Sequence, residues 1–213
     1  MSETNVNETV ETVETVNRAV TIYGGISQDS MQGVIEELLD IQAFDAEYLM
    51  TYGKDAKLLP VVVDIVSCPG GDAWICQCVI DILLSLKAPV ITRCLGQAQS
   101  AGFLIFLTGD IRIAGKHSTL MFHQVSYDLG MNTFKIQKQE LKEFGRMQRR
   151  MDELVTSRTY VTKEELGEWA GSEKYFDWDE AFDYGIITDD LDLDFMYFVD
   201  WLNLEEEENK NEE

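Results

Sequence analysis

Two residues in this sequence are of the types that together carry out acyl transfer. Ser100 stands in Gly96-Gln97-Ala98-Gln99-Ser100-Ala101-Gly102, directly ahead of the apolar run Phe103 to Leu107. His123 follows in Met121-Phe122-His123-Gln124, and the chain has only one other histidine, His117. A serine hydroxyl is a poor nucleophile until a neighbouring base takes its proton. Histidine suits that task because its unperturbed pKa, about 6.5, lies near neutral pH. Ala98, Ala101 and Gly102 are small enough to let another backbone come close. A serine at a helix start also has free N–H groups beside it, where an oxyanion can be held. The same residue types fit a plainer reading, a serine helix cap and a histidine satisfied within the core. The Gly-x-Ser-x-Gly elbow of the α/β-hydrolases is not matched, since Ala98 stands at its first glycine.

The elements that must position this pair follow from the patterning. Ala19 to Gly24 reads as a short strand. Met31, Val34, Ile35, Leu38, Leu39 and Ile41 recur at helical spacing behind a start at Asp29-Ser30, and residues 43–58 read as an extended loop. Val61 to Val66 is a β-branched run of the kind found in buried parallel strands. Cys68-Pro69-Gly70-Gly71 then turns the chain into a helix over 72–87, with Ile75, Val79, Ile82, Leu83 and Leu86 on one face. Pro89 to Leu95 is the next strand and Ser100 to Thr108 the next helix. Strand, glycine turn and helix in short alternation imply parallel β-α-β units.

One or two short strands follow over 110–122. A long helix runs from Thr133 to about Arg158, with Leu141, Phe144, Met147 or Gln148, Met151 and Leu154 as its apolar stripe. Its excess of Lys and Arg is unusual in a chain of net charge −22; it reads as a solvated face or as a surface that meets an acidic partner subunit. Thr162 with Glu165 forms a capping box for a short helix. Asp177 or Asp179 starts another, Ile186-Ile187 reads as a last strand, and Phe195 to Leu202 has helical spacing. Residues 1–18 read as a flexible, acidic N-terminal segment, 19–204 as the folded domain, and 205–213 as a disordered acidic tail.

Composition removes several classes. A charge of −22 disfavours nucleic-acid binding, which needs Lys and Arg on phosphates. No apolar run approaches the roughly 18 residues of a membrane span, and a secretory signal is not apparent, so a soluble cytoplasmic protein is expected. Cys68, Cys76, Cys78 and Cys94 contain no C-x-x-C pair. No metal or other cofactor is expected. Neither Gly-x-Gly-x-x-Gly nor Gly-x-x-x-x-Gly-Lys occurs, which disfavours a nucleotide site.

Taken together the motifs resemble those of the ClpP family, the proteolytic subunits of the Clp serine peptidases, over roughly residues 18 to 193. Ser67-Cys68-Pro69-Gly70-Gly71 is similar to that family's Asn-Ser-Pro-Gly-Gly turn. Residues 96–102 are similar to its Gly-Gln-Ala-Ala-Ser-Met-Gly segment, and 121–124 to its Met-Ile-His-Gln. Arg150-Met151-Asp152-Glu153-Leu154 and residues 180–187 match its Arg-Met-Asn-Glu-Leu and Glu-Ala-x-Glu-Tyr-Gly-Leu-Ile. The resemblance implies an α/β fold, the ClpP/crotonase-like spiral of repeated β-β-α units with a protruding long helix, the handle. It also implies a serine endopeptidase that degrades unfolded polypeptides inside an oligomeric chamber. Ser100 would be nucleophile, His123 base, and the N–H groups of Gly71 and Ala101 the oxyanion donors. Alignment sets Glu173 where the family has Asp, with Asp177 as fallback for the third triad member.

The implied assembly is a homo-oligomer of heptameric rings stacked as a tetradecamer, with an AAA+ Clp-type ATPase as partner. The chain departs from the family at Val125, where the family has proline, and over 126–131, where it has a glycine-rich strand. Three other readings stay open: a catalytically silent ring subunit, a ClpP-like viral head-maturation protease, and a crotonase-type acyl-CoA enzyme on the same spiral scaffold, a class that works without a Ser–His pair.

Overall fold

A computed structural model describes residues 16–189. The expected terminal tail, the helical spacing at Phe195 to Leu202 and most of the N-terminal segment lie outside the described residues. The chain runs β1 (Ala19–Tyr23), α1 (Gln28–Tyr52), β2 (Val61–Ser67), α2 (Ala73–Ser85), β3 (Val90–Cys94), β4 (Gln97–Gln99) and α3 (Ala101–Phe106). It continues through β5 (Ile111–Ala114), β6 (Thr119–Phe122), α4 (Phe134–Arg158), α5 (Lys163–Glu168), β7 (Lys174–Phe176) and α6 (Trp178–Asp183).

The strands sort into two sheets. β1-β2-β3-β5 is all parallel, and β4-β6-β7 is a smaller sheet in which β7 runs antiparallel to β6. After β3 the chain bends at Gly96 and enters the second sheet as β4; after β5 it does the same as β6. Gly96 is required there, because a Cβ would meet the Val66 carbonyl oxygen at 2.4 Å. Beyond β2 the chain likewise crosses over, Cys68 bridging Ala98 of β4. The result is the expected spiral: a strand in each sheet, then a helix.

Burial explains the elements. Val61, Val63 and Ile65 of β2 are fully buried, as the β-branched run implied. On the opposite face Asp64 and Arg93 sit in register on β2 and β3, and the guanidinium donates twice to the carboxylate at 2.5 and 2.6 Å. All six residues of α3 are buried, so this helix is apolar all round and forms the centre against which the second sheet closes. Only the C-terminal half of α4 is anchored in the core, through Met147, Met151 and Val155. Phe134, Ile136 and Leu141 of its N-terminal half are exposed, so this part protrudes.

Two local readings change. The extended loop expected over 43–58 is helix as far as Tyr52, where Gly53 at φ 107° ends it and donates to the Leu49 carbonyl. Asp45 interrupts the apolar spacing yet points inward, its carboxylate gripped by the Arg18 guanidinium at 2.7 and 2.9 Å. Ile186 and Ile187 are buried as expected but form no strand; both N–H groups donate to Ala181, closing the turn after α6. The strand β7 was not legible in the sequence. Neither was the role of Arg112, whose buried guanidinium donates to the carbonyls of Gly109, Arg158, Gly185 and Ile186. Burial lowers its pKa to about 10, and that single side chain ties β5 to the ends of α4 and α6.

Candidate active site

Ser100 is the junction between β4 and α3. Its backbone, at φ 53° and ψ −117°, is the only positive-φ non-glycine conformation among the described residues. Such a conformation costs about 1–3 kcal/mol and persists only where the surroundings impose it. Two contacts impose it here. The Ser100 N–H donates to the Met121 carbonyl of β6 at 2.8 Å. Gly70 packs against its side: a Cβ there would lie 2.7 Å from the Ser100 Cβ and 3.1 Å from Oγ. Behind them Gly102 lies on Cys68, where a Cβ would come within 2.6 Å of the thiol sulfur.

The sharp turn aims the hydroxyl away from the helix. Ser100 is the N-cap residue of α3, but its side chain makes no capping hydrogen bond. Oγ instead lies 2.7 Å from His123 Nε2. The helix-cap reading therefore fails, and the two residue types singled out in the sequence meet. With the imidazole proton on Nδ1, Nε2 accepts the Ser100 hydroxyl, which is the geometry of a base beside a nucleophile.

The candidate oxyanion donors are both free. Gly71 bridges Ile26, but that bridge uses the Gly70 carbonyl and the Asp72 N–H, leaving the Gly71 N–H without a hydrogen bond among the described residues. Gly71 has φ 148°, and a Cβ would strike the Ile26 carbonyl oxygen at 2.2 Å. Ala101 opens α3, so its N–H has no partner within the helix.

The thiols nearby are inert. Cys68, Cys76 and Cys94 are buried and free, and desolvation raises all three, Cys76 to about 12. Protonated thiols are weak nucleophiles and poor metal ligands. No group of three His, Cys, Asp or Glu among the described residues has a metal-binding arrangement.

His123 leaves β6 on a segment that α4 holds. The Val125 N–H donates to Gln148 Oε1 at 2.7 Å, and Gln148 Nε2 donates to Asp152 at 2.7 Å. The sequence reading offered Met147 or Gln148 for the apolar stripe. Met147 is the buried one, and Gln148, one position on, reaches the segment that follows His123.

The two candidate acids separate. The β6–β7 pairing ends with Phe122 opposite Lys174, and His123 and Glu173 are the next residues beyond that last pair. The Glu173 carboxylate, however, accepts the Tyr175 hydroxyl at 2.9 Å, and His123 makes no hydrogen bond to it. Asp177 lies past the far end of β7, roughly 13 Å along the strand from Glu173. There it caps α6, accepting the Glu180 N–H at 2.8 Å. The structure thus brings Ser100, His123, Gly71 and Ala101 together, leaves Glu173 engaged by Tyr175, and assigns Asp177 the capping of α6.

Known proteins match this chain along most of its length. The family model described as Clp protease matches residues 3–191. The ATP-dependent Clp protease proteolytic subunit 2 of Treponema pallidum is 26% identical over 180 residues, covering 80% of each chain. The ATP-dependent Clp protease proteolytic subunit of Deinococcus radiodurans is 30% identical over 129 residues, 60% of this chain and 63% of the relative. The ATP-dependent Clp protease proteolytic subunit 3 of Rhodococcus jostii is 30% identical over 128 residues, 59% of this chain and 63% of the relative. No helix of the described residues is long and apolar enough to cross a membrane. With its spiral of β-β-α units and its serine junction, the chain belongs to the Clp protease family.

Proposed function

We propose that this protein is a serine endopeptidase that cleaves unfolded polypeptides through an acyl-enzyme, with Ser100 as nucleophile and His123 as base. The observation that carries the reading is the 2.7 Å contact between Ser100 Oγ and His123 Nε2 at a serine held in a strained junction. In the first step Oγ bonds to the peptide carbonyl carbon while its proton passes to Nε2. The carbonyl π electrons move onto oxygen, and the N–H groups of Gly71 and Ala101 receive that oxyanion. Collapse breaks the C–N bond, and His123 returns the proton to the departing amine. Water, deprotonated by His123, then releases the acid and restores Ser100. Glu173 acts as the third member by accepting the imidazole Nδ1–H. Stacked heptameric rings, enclosing the sites and fed by an AAA+ ATPase, are the assembly this reading carries. The names of the relatives, proteolytic subunits of ATP-dependent proteases, support it.

The test is intact mass after incubation with a fluorophosphonate, on the wild type and on Ser100→Ala, with native mass alongside. One adduct per chain, absent from the variant, on a ring-sized species is the expected result. A well-formed ring without adduct would overturn the enzyme reading in favour of a catalytically silent scaffold, a reading that rests on the engagement of Glu173 by Tyr175.

A further inference from the structure

The candidate acid, like the candidate base, is the next residue beyond the last β6–β7 pair, but its carboxylate is bound to something else. Glu173 immediately precedes β7, two positions before Tyr175, and the Tyr175 hydroxyl donates to its carboxylate. Glu173 is one methylene longer than aspartate, and that length lets its carboxylate lie along the strand to the Tyr175 hydroxyl at 2.9 Å rather than across it to His123. The imidazole, meanwhile, has Ser100 as its one hydrogen-bond partner among the described residues.

We propose that Tyr175 is a positioning residue that holds Glu173 off the base, so that the acid reaches His123 only when the tyrosine hydroxyl lets go. The inference rests on the reading of Ser100 and His123 as nucleophile and base. The latch is weak by construction. Tyr175 is half-exposed and Glu173 is exposed, so water competes for both partners and the bond is easily exchanged. The phenol is also pushed above its ordinary pKa by the adjacent carboxylate, so it remains a donor through the neutral range. Lys174, between the two, is no rival for the carboxylate: its ammonium pairs with Glu180 and lies over the Trp169 and Phe176 rings. Release of Glu173 therefore depends on one hydroxyl.

The experiment measures the second-order rate of fluorophosphonate labelling at Ser100 in four full-length proteins: wild type, Tyr175→Phe, Glu173→Gln and the double variant. Native mass confirms equal assembly. Tyr175→Phe removes one oxygen from a half-exposed ring, so the fold is retained. Labelling should rise about two- to tenfold in Tyr175→Phe, the range by which freeing one ordinary hydrogen bond shifts an equilibrium. The double variant should label no faster than Glu173→Gln. That dependence on residue 173 is what a merely structural tyrosine would not produce. Labelling confined to Tyr175→Phe would support the latch in its strongest form. Wild-type labelling that is indifferent to Tyr175, or a gain of equal size in the Glu173→Gln background, would overturn the latch and leave Ser100 as nucleophile. No adduct in any of the four would overturn both.

Discussion

The two halves of the candidate site are built on different principles. The candidate nucleophile, base and oxyanion donors are placed by backbone. Ser100 is pinned by a main-chain hydrogen bond and by Gly70, Gly71 is pressed on Ile26, and Gly102 on Cys68. The candidate acid is placed by side chains at an exposed edge, where Glu173 rests on Tyr175. A close-packed backbone has few alternative arrangements and transmits any added volume as strain. An exposed side chain exchanges partners at little cost. The first half is thus suited to fixed geometry, and the second to adjustment.

The largest effect is expected from breaking the rigid half. Gly70 has φ 101°, and a Cβ there would approach the Ser100 Cβ to 2.7 Å with the Gln99 carbonyl oxygen at 3.1 Å. Gly70→Ala should cost about 2 kcal/mol in urea unfolding from the left-handed backbone alone. Displacing Ser100 by even part of an ångström should also slow fluorophosphonate labelling by roughly a hundredfold. Wild-type labelling in this variant would mean that the junction tolerates volume and that the site is not set by backbone packing.

The same division decides what could be read from the sequence. Residues whose role is fixed by local backbone chemistry were legible: the Gly70-Gly71 turn, the serine ahead of an apolar run, the capping box at Thr162 and Glu165. Each leaves a mark in residue type at short spacing. Residues that work through long-range side-chain contacts were not. Arg112 serves carbonyls as far along the chain as Ile186, and Asp45 is buried only because Arg18 reaches it across 27 positions. Before the fold is known, both look like surface charges. Gln148 and Tyr175 escaped for the same reason, since nothing in helical or strand spacing says which partner a polar side chain will find. The family motif located the position of Glu173, but the carboxylate's partner is a property of its extra methylene and of a tyrosine two residues away.

A smaller effect separates the two candidate acids. Asp177 accepts the Glu180 N–H at the start of α6 and lies beyond the end of β7 remote from His123. Asp177→Ala should lower stability by about 1 kcal/mol through loss of the cap, with Ser100 labelling unchanged. Thermal unfolding and labelling on the same sample would check both. A labelling loss exceeding that of Glu173→Gln would transfer the third role to Asp177 and erase the contrast between the two halves.

The smallest effect probes a side-chain support behind the rigid half. Asp152 holds Gln148, which holds the Val125 N–H two residues past His123. Burial raises the Asp152 pKa, the Gln148 hydrogen bond opposes this, and Glu153 adds to it. A carboxyl whose folded value lies above its unfolded one binds its proton more tightly in the native state. Its contribution to stability therefore declines as pH rises from the ordinary aspartate range, about 3.9, through the folded value. Asp152→Asn keeps an acceptor for Gln148 and removes the ionisation; asparagine is also the residue in the Clp motif this segment resembles. The variant should match the wild type near pH 3.5 and exceed it at pH 7, by about 0.5 kcal/mol or less in urea unfolding. Labelling should stay constant, because the Gln148 bond to Val125 survives and the backbone that carries His123 does not move. A changed labelling rate at unchanged stability would show that a half-buried charge, and not packing alone, sets the geometry of the rigid half.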